Sequence, residues 1–217
     1  GEGRAAEAKA GAVGALVASQ TELEAFKETY RVEPWSPKEF APGTEVEAFI
    51  GIDGGSTSTK AVLVDHDREV LAKTYQLSNG NPIEDCIEMF RKLEVQIVSQ
   101  GCTLRLLGVG TTGYAKDVLR EVINADVALV ETVAHTESGL HFYPDADVIC
   151  DVGGQDIKVI LLKNGAVKDF KLNTQCSAGN GYFLQSTAKD FGFSVYDYAD
   201  EAFKARAMPE FGYGCAV

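Results

Sequence analysis

Residues 51–60 read GIDGGSTSTK, and this stretch decides how the rest of the chain is interpreted. The flanking segments AFIGID (48–53) and KAVLVD (60–65) are short, apolar and rich in β-branched residues, which predicts a strand on either side. The decapeptide is therefore the turn of a hairpin. A two-residue hairpin needs little more than Asn-Gly, whereas this turn adds an acid, extra glycines and hydroxyls. Backbone amides, hydroxyls and a carboxylate are what a polyphosphate and its magnesium ion require.

The sequence contains a second copy of this stretch, DVGGQDIKVILLK at 151–163. Matching residues at the same offsets are Asp53 and Asp151, Gly55 and Gly153, and Lys60 and Lys158. Each copy follows an apolar strand and precedes a strand, a polar turn and a further strand. A Gly/Ser/Thr-rich turn on its own is most often only a turn. Two related hairpins, however, predict two lobes of common design whose loops face each other across a cleft.

The chain resembles the BadF/BadG/BcrA/BcrD-type ATPases, an actin-like family that includes activators of 2-hydroxyacyl-CoA dehydratases and of benzoyl-CoA reductases. The similarity runs from about Phe49 to the C-terminus. It rests on GIDGGSTSTK, on GTTGY at 110–114, on DVGGQD at 151–156 and, most specifically, on the cysteine-containing NTQCSAGNGYFLQ at 173–185. The resemblance implies an α/β protein built from actin-like (ribonuclease H-like) ATPase lobes, with ATP and Mg²⁺ as ligands.

The order of predicted elements divides the chain into three parts. Residues 1–46 are a helical leader and linker, 47–145 a complete first lobe, and 146–217 the start of an incomplete second lobe. The leader is rich in Ala, Glu and Lys, with Thr21 and Glu24 as a capping box, and EPWSPKEFAPG at 33–43 is the linker. Further helices are predicted at 82–99, 114–122, 131–142, 179–191 and 196–206. We expect this fragment alone to bind ATP weakly and to be inactive, because the adenosine end of ATP normally rests on the part of this fold that is missing.

Composition and charge exclude several classes of protein. The formal net charge of −12 and the pI near 4.7 argue against nucleic acid or an anionic membrane as the main partner. The sequence has no apolar stretch of membrane-spanning length and no secretory pattern at its N-terminus. Five cysteines at irregular spacings are not the pattern that predicts a disulfide framework. A reducing cytoplasm is the expected location.

Two aspartates are the predicted centre of the site. Asp53 and Asp151 each end a first strand, and facing lobes would place both carboxylates at one magnesium–phosphate, with the metal held through water; capping of the turn is the alternative role. Lys60 would contact the phosphates or be a solvated strand residue. Gln155 and Asp156 could orient the attacking water, so Asp53, Asp151 and Gln155 are the expected catalytic residues. The predicted ATP contacts are Gly54, Gly55, Ser56, Thr57, Ser58, Thr59, Lys60, Gly153, Gly154, Gln155 and Asp156.

Two further patterns have a functional and a structural interpretation, and for the second, Glu131 with His135, no role is assigned. GVGTTGYAK at 108–116 follows a strand and opens a helix, so its amides could point toward the cleft. For Gly110 and Gly113 individually, a tight strand-to-helix connection is the expected role. Glu131 and His135 share a helix face at i and i+4, a spacing that can bind metal, but no third ligand is evident.

The cysteines fall into two groups. Cys86, Cys102 and Cys150 have apolar neighbours and are expected to pack as small hydrophobic residues. Cys176 and Cys215 stand in polar or glycine-rich surroundings, and Cys176 precedes a predicted helix whose N-terminus favours a thiolate. The resemblance implies that both are iron–sulfur ligands. Because a [4Fe–4S] cluster takes four thiolates, a homodimer would share one cluster between its two chains.

The resemblance implies an ATP-dependent electron donor. Hydrolysis would drive one electron onto a 2-hydroxyacyl-CoA dehydratase or an aryl-CoA reductase-type enzyme, and a flavodoxin or ferredoxin-type protein would be the electron source. One alternative is a small-molecule kinase of the same fold, for example for an amino sugar, although a kinase gives no reason for Cys176 and Cys215. The other is a non-catalytic nucleotide-binding module of a larger polypeptide.

Overall fold

The computed structural model describes residues 12–174 and 179–209. The strands are β1 Ala12–Gly14, β2 Glu45–Gly54, β3 Ser58–Val64, β4 Val70–Leu77, β5 Thr103–Thr112, β6 Val127–Ala128, β7 Val148–Val152, β8 Ile157–Lys163, β9 Ala166–Asn173 and β10 Ala207–Pro209. The helices are α1 Gln20–Thr29, α2 Pro82–Val98, α3 Lys116–Ile123, α4 Glu131–Phe142, α5 Gly181–Asp190 and α6 Tyr198–Phe203, with a 3₁₀ turn at Val195–Asp197.

The main sheet has five strands in the order β4-β3-β2-β5-β6. Its central strand β2 runs antiparallel to β3 and parallel to β5. In this register Asp53 lies opposite Lys60 on one side and opposite Thr112 on the other. The predicted hairpin at 51–60 is therefore confirmed, and its turn stands at the carboxyl end of β2 beside the end of β5.

Helix α2 packs on this sheet and contributes one stripe of buried residues to its core. Its N-cap Asn81 accepts hydrogen bonds from the N–H groups of Ile83 and Glu84, and Pro82 occupies the first turn, a position that tolerates proline because its missing N–H has no helical partner. One apolar stripe of the helix, spaced three and four residues apart, is buried on the sheet: Cys86, Met89, Leu93 and Ile97. These local signals explain why the helix predicted at 82–99 differs from the observed helix by only one residue, at its C-terminal end.

The second hairpin region forms a three-stranded sheet in the order β7-β8-β9. Strands β8 and β9 are joined through Asn164 and Gly165, both with positive φ (53° and 71°). Positive φ at both central residues is what a type I′ turn requires, and Asn-Gly is the preferred pair for it. The predicted second hairpin and its polar turn are thus present.

The N-terminal prediction is wrong in part. Residues 12–14 form strand β1, which pairs antiparallel with β10, and the helix spans only Gln20–Thr29. Its N-cap is Ser19, whose side chain accepts from the Glu22 N–H, while the Glu22 carboxylate accepts from the Ala18 N–H. Tertiary pairing therefore overrides the helix propensity of the leader, and Thr21 with Glu24 is not the capping box. Of the helix predicted at 196–206, only Tyr198–Phe203 (α6) is α-helical, and strand β10 follows at Ala207–Pro209.

The proline-rich stretch at 33–43 is irregular, as predicted for a linker, but it is attached to the fold. The Phe40 N–H donates to Gln100 Oε1, and Gln100 Nε2 donates to the Lys38 carbonyl. Phe40 also packs against the core of the main sheet. This stretch is therefore held against the main sheet by hydrogen bonds and by the packing of Phe40.

The described residues form two compact units. Of the described residues, one unit contains 12–34, 152–158, 172–174 and 179–209, and the other contains 35–151 and 159–171. The domain boundaries expected from the sequence (1–46, 47–145 and 146–217) stay a prediction. Within the described ranges, the helices lack the length and apolarity that crossing a bilayer would need.

Candidate active site

The turn of the first hairpin, residues 53–60, is called the first loop and is organised around Asp53. The Lys60 Nζ atom lies 3.1 Å from Asp53 Oδ2, with 46% of the lysine side chain and 25% of the aspartate side chain exposed. The cross-strand register places these two residues on the same face of the sheet. Lys60 is therefore a neighbour of the carboxylate. An ion pair this exposed adds little stability, so its effect is to orient Asp53.

The other oxygen of Asp53 suits a hydrated cation. Asp53 Oδ1 is buried and has no hydrogen-bond partner among the described residues. A buried acceptor without a partner costs about 1–3 kcal/mol, and such an atom in a native structure calls for a bound water or ion. Water molecules of a magnesium ion would supply the missing donors, so this carboxylate fits the metal that the sequence implies.

The GTTGY segment closes over the first loop. The Ala115 N–H donates to the Gly54 carbonyl at 2.9 Å. Gly113 has a φ of +87°, and a Cβ added to it would lie 2.4 Å from Asp53 Oδ1 and 2.8 Å from the Gly54 carbonyl oxygen. Glycine is thus required at 113 both by the positive φ and by the lack of room for a Cβ atom. The GTTGY motif at 110–114 is therefore part of the candidate site. The sequence signal was the spacing of the glycines, which does not show which one has the positive φ.

We expect Gly113→Ala to lower the free energy of unfolding by about 2–4 kcal/mol, because alanine is strained at positive φ and its Cβ overlaps Asp53 Oδ1. Gly110→Ala is the matched control from the same motif, since its Cβ would only contact Val127 Cγ2 at 3.4 Å. Its effect should stay within about 1 kcal/mol. Urea unfolding of both variants measures this, and equal stabilities would contradict the geometry.

The second loop, residues 151–156, repeats the turn of the first loop. The Gly55 N–H donates to the Ser58 carbonyl at 3.1 Å, and the matching Gly153 N–H donates to the Asp156 carbonyl at 2.9 Å. A Cβ at Gly55 would lie 2.7 Å from the Ser58 carbonyl oxygen, and one at Gly153 would lie 2.6 Å from Asp156 Oδ1. The sequence repeat is therefore a repeat of backbone geometry. In the second copy, the mostly buried Lys158 places its Nζ 2.8 Å from Asp156 Oδ2.

The second loop is also bound to the start of helix α5. The Gly181 N–H donates to the Gly153 carbonyl at 3.0 Å, and the Tyr182 N–H donates to the Gly154 carbonyl at 2.9 Å. Asn180 caps the same helix by accepting from the Phe183 N–H, and its side chain is fully buried. Helix α5 begins within the cysteine-containing motif at 173–185, on the C-terminal side of Cys176. Sequence reasoning missed this link, because no pattern indicates which loop the helix N–H groups meet.

The remaining candidate residues differ in exposure. Ser56 and Gln155 are exposed, Thr57 and Gly154 are half-buried, and Ser58 and Thr59 are buried. A cavity of about 270 Å³ lies beside Asp53 and Lys60 on the sheet, and its other lining residues are largely apolar. The roles assigned to all these residues from the sequence stay predictions.

Helix α4 brings one residue without an assigned role to the second aspartate. His135 Nδ1 lies 3.1 Å from Asp151 Oδ2, and the two side chains are 32% and 25% exposed. The contact is at ion-pair distance, but Nδ1 is buried and makes no directed hydrogen bond among the described residues. The i, i+4 spacing with Glu131 hinted at a functional face without revealing this partner.

The cysteine predictions have mixed outcomes. Cys86 and Cys102 are buried, as expected, whereas Cys150 is exposed on β7, because that strand alternates exposed and half-buried positions. The packing role expected of Cys150 is therefore wrong. Cys176 and Cys215 lie outside the described residues. Within the described ranges, no three His, Cys, Asp or Glu side chains are grouped to hold a metal ion.

Several known proteins are similar to this chain in sequence and in fold. The (R)-2-hydroxyglutaryl-CoA dehydratase activating ATPase of Acidaminococcus fermentans is 28% identical over 171 residues, which cover 77% of this chain and 63% of that protein. The crystal structure of the A. fermentans (R)-2-hydroxyglutaryl-CoA dehydratase component A superimposes with a TM-score of 0.65 at 26% identity, covering 78% of this chain and 64% of that one.

A second solved structure is similar to the same extent. The activator of the 2-hydroxyisocaproyl-CoA dehydratase from Clostridium difficile, with bound ADPNP, superimposes with a TM-score of 0.67 at 26% identity, covering 77% of this chain and 61% of that one. The chain thus spans less than two thirds of the length of these relatives, and the expected α/β actin-like ATPase fold is confirmed. The family model for the BadF/BadG/BcrA/BcrD ATPases matches residues 50–217. The chain belongs to the BadF/BadG/BcrA/BcrD ATPase family.

Proposed function

We propose that the protein containing this chain is an ATP-dependent reductive activator of a 2-hydroxyacyl-CoA dehydratase or an aryl-CoA reductase-type enzyme. It would couple ATP hydrolysis to the transfer of a low-potential electron. The names of the relatives support the class of partner: one is a dehydratase activating ATPase and another a dehydratase activator. A flavodoxin or ferredoxin-type protein is the proposed electron source, and the cytoplasm is the proposed location.

One observation carries the proposal. The first two N–H groups of α5, on Gly181 and Tyr182, donate to the carbonyls of Gly153 and Gly154 in the second phosphate loop. The helix that begins within the cysteine-containing motif is therefore hydrogen-bonded to the loop proposed to contact ATP. A movement of that loop on hydrolysis would be passed to the cysteine-containing segment through two hydrogen bonds. The chemistry of a small-molecule kinase does not require a connection between its nucleotide loop and a cysteine-containing segment.

At the nucleotide, the proposed roles follow from charge and geometry. Asp53 and Asp151 hold the magnesium ion through water, and Lys60 keeps the Asp53 carboxylate oriented while adding positive charge near the phosphates. The glycines of both loops have no side chain that would keep phosphate oxygens away from the backbone, while the Gly55 and Gly153 N–H groups donate within the turns themselves. Gln155, exposed in the second loop, orients the attacking water as glutamine does in other nucleotide hydrolases.

Cys176 and Cys215 are the proposed cluster ligands, on the resemblance of their motifs. Two thiolates from each of two chains complete a [4Fe–4S] cluster, so the proposal includes a homodimer. Such a cluster supplies one electron at low potential when bound. The N-terminus of α5, close in sequence to Cys176, would offset the negative charge of the thiolates.

Anaerobic purification of the full-length protein tests this function. We expect bound iron with a cluster absorption spectrum, together with magnesium-dependent ATP hydrolysis. ATP-dependent phosphorylation of an amino sugar without bound iron would favour the kinase. Nucleotide binding with neither hydrolysis nor iron would favour the non-catalytic module.

The link between the second loop and α5 gives a sharp prediction. Gly181→Pro removes the N–H that donates to Gly153 and places a methylene against that carbonyl, yet proline is well tolerated at the first position of a helix. The preceding Asn180 is extended (φ −88°, ψ 174°), as a residue before proline must be. We expect the number of electrons passed to methyl viologen per ATP hydrolysed to fall about fivefold or more.

Gly181→Ala is the control for this variant. It keeps the N–H, and its Cβ would lie at ordinary contact distance, 3.5 Å from the Gly153 carbonyl oxygen. We expect wild-type coupling from it. If the proline variant transfers electrons as efficiently as the alanine variant, the two hydrogen bonds do not carry the coupling.

A further inference from the structure

The contact between His135 and Asp151 joins a helix residue to an aspartate at the start of the second loop. His135 lies on the second turn of α4, and Asp151 lies near the end of β7, where the second loop begins. His135 Nδ1 and Asp151 Oδ2 are 3.1 Å apart. Both side chains are at least two thirds buried, so this approach is set by packing.

We propose that His135 is a positioning residue that holds the Asp151 carboxylate through its Nδ1 atom, so that Asp151 receives the hydrated magnesium of the nucleotide. The inference rests on the proposed function, which makes Asp151 a magnesium residue. A small rotation of the imidazole ring aligns an Nδ1–H with Oδ2 and turns the contact into a hydrogen bond. That bond also gives the buried Nδ1 the partner it lacks in this structure.

The first loop shows the same arrangement with a different residue. There, Lys60 Nζ lies 3.1 Å from Asp53 Oδ2, so each acid has a side-chain nitrogen at one carboxylate oxygen. In the first copy the nitrogen comes from the neighbouring strand, whereas in the second it comes from a helix. Fixing one oxygen restricts rotation of the carboxylate and lowers the entropy lost when it binds the water shell of an ion. Groups that orient metal-binding side chains in this way typically contribute 10–100-fold in metal affinity.

Isosteric substitutions separate this role from simple packing. The amide nitrogen of an asparagine at 135 can occupy the place of Nδ1, whereas that of a glutamine reaches the place of Nε2. A positioning role through Nδ1 therefore predicts rescue by His135→Asn and none by His135→Gln. A packing role predicts no such order, because both substitutions replace an aromatic ring by an amide.

The experiment measures Mn²⁺ binding to the full-length protein in the presence of ADP, from the EPR signal of free Mn²⁺. We expect the Mn²⁺ affinity to fall about 10–100-fold in His135→Ala and in His135→Gln. His135→Asn should bind within about threefold of wild type, since it keeps a nitrogen at the Nδ1 position. The matched control is His141→Ala, on the same helix but exposed and packed only on Phe142 among the aromatic rings described. His141→Ala should bind Mn²⁺ with the wild-type affinity.

Several results would overturn the proposal. These are wild-type affinity in His135→Ala, equal affinity in the Asn and Gln variants, or a further loss when His135→Ala is added to Asp151→Asn. Thermal melting of each variant accompanies the titration, and loss of folding in all three would show that the role of His135 is structural. If wild-type protein with ADP binds no Mn²⁺, the proposed function itself fails, which is a different outcome from failure of the His135 variants alone.

Discussion

The Cys176→Ser variant of the full-length protein is expected to lose about nine tenths of its bound iron, together with the cluster absorption spectrum. In a homodimer the substitution removes two of four thiolates at once, and a serine hydroxyl at neutral pH does not replace a thiolate ligand. The measurement is iron per chain after anaerobic purification, with the absorption spectrum of the same sample.

Cys150→Ser is the control for that experiment. Cys150 is exposed on β7, so its thiol can become a hydroxyl without leaving a buried polar group. Cys86 would be a poor choice, because it is 1% exposed in the core and burial raises the pKa of its thiol to about 11. If Cys176→Ser keeps wild-type iron and spectrum, the electron-donor function fails and the kinase reading gains support.

The Asp53→Asn variant is expected to lower kcat for ATP hydrolysis on the order of 100-fold, because it removes one negative charge from the magnesium site. Asparagine has nearly the shape of aspartate, so the hairpin should stay folded, with a change in unfolding free energy of about 1 kcal/mol. Steady-state ATPase rates at several magnesium concentrations measure the effect.

Asp117→Asn serves as the matched control. Asp117 is a 76% exposed carboxylate on α3 whose described ion pair is with Lys116, and its loss should leave kcat unchanged. An Asp53→Asn variant with kcat within threefold of wild type would show that this carboxylate does not hold the metal. A fall in kcat that merely follows unfolding of the variant would count equally against the assignment.

The parts of the fold that sequence predicted well are those with local signals. Helix α2 has a cap at Asn81, a proline at its start and an apolar stripe at helical spacing. The hairpin at 51–60 has apolar β-branched runs on either side of a turn, and its second copy could be found by direct comparison. In each case residues near in sequence determine the structure.

The parts that sequence missed depend on residues far apart in the chain. Residues 12–14 are in a strand because β10 pairs with them, and no composition rule indicates that partner. The approach of His135 to Asp151 depends on where β7 lies beside α4. Gly113 could be recognised as essential only when its positive φ and its closeness to Asp53 were both known.

ATP hydrolysis is expected to release an electron from the protein. The most direct test mixes the reduced full-length protein with methyl viologen and follows the EPR signal of the reduced protein after ATP and magnesium are added. We predict that the signal decays and the viologen radical forms with ATP, and that neither occurs without nucleotide or with a non-hydrolysable ATP analogue. Electron transfer at the same rate with and without ATP would contradict the account.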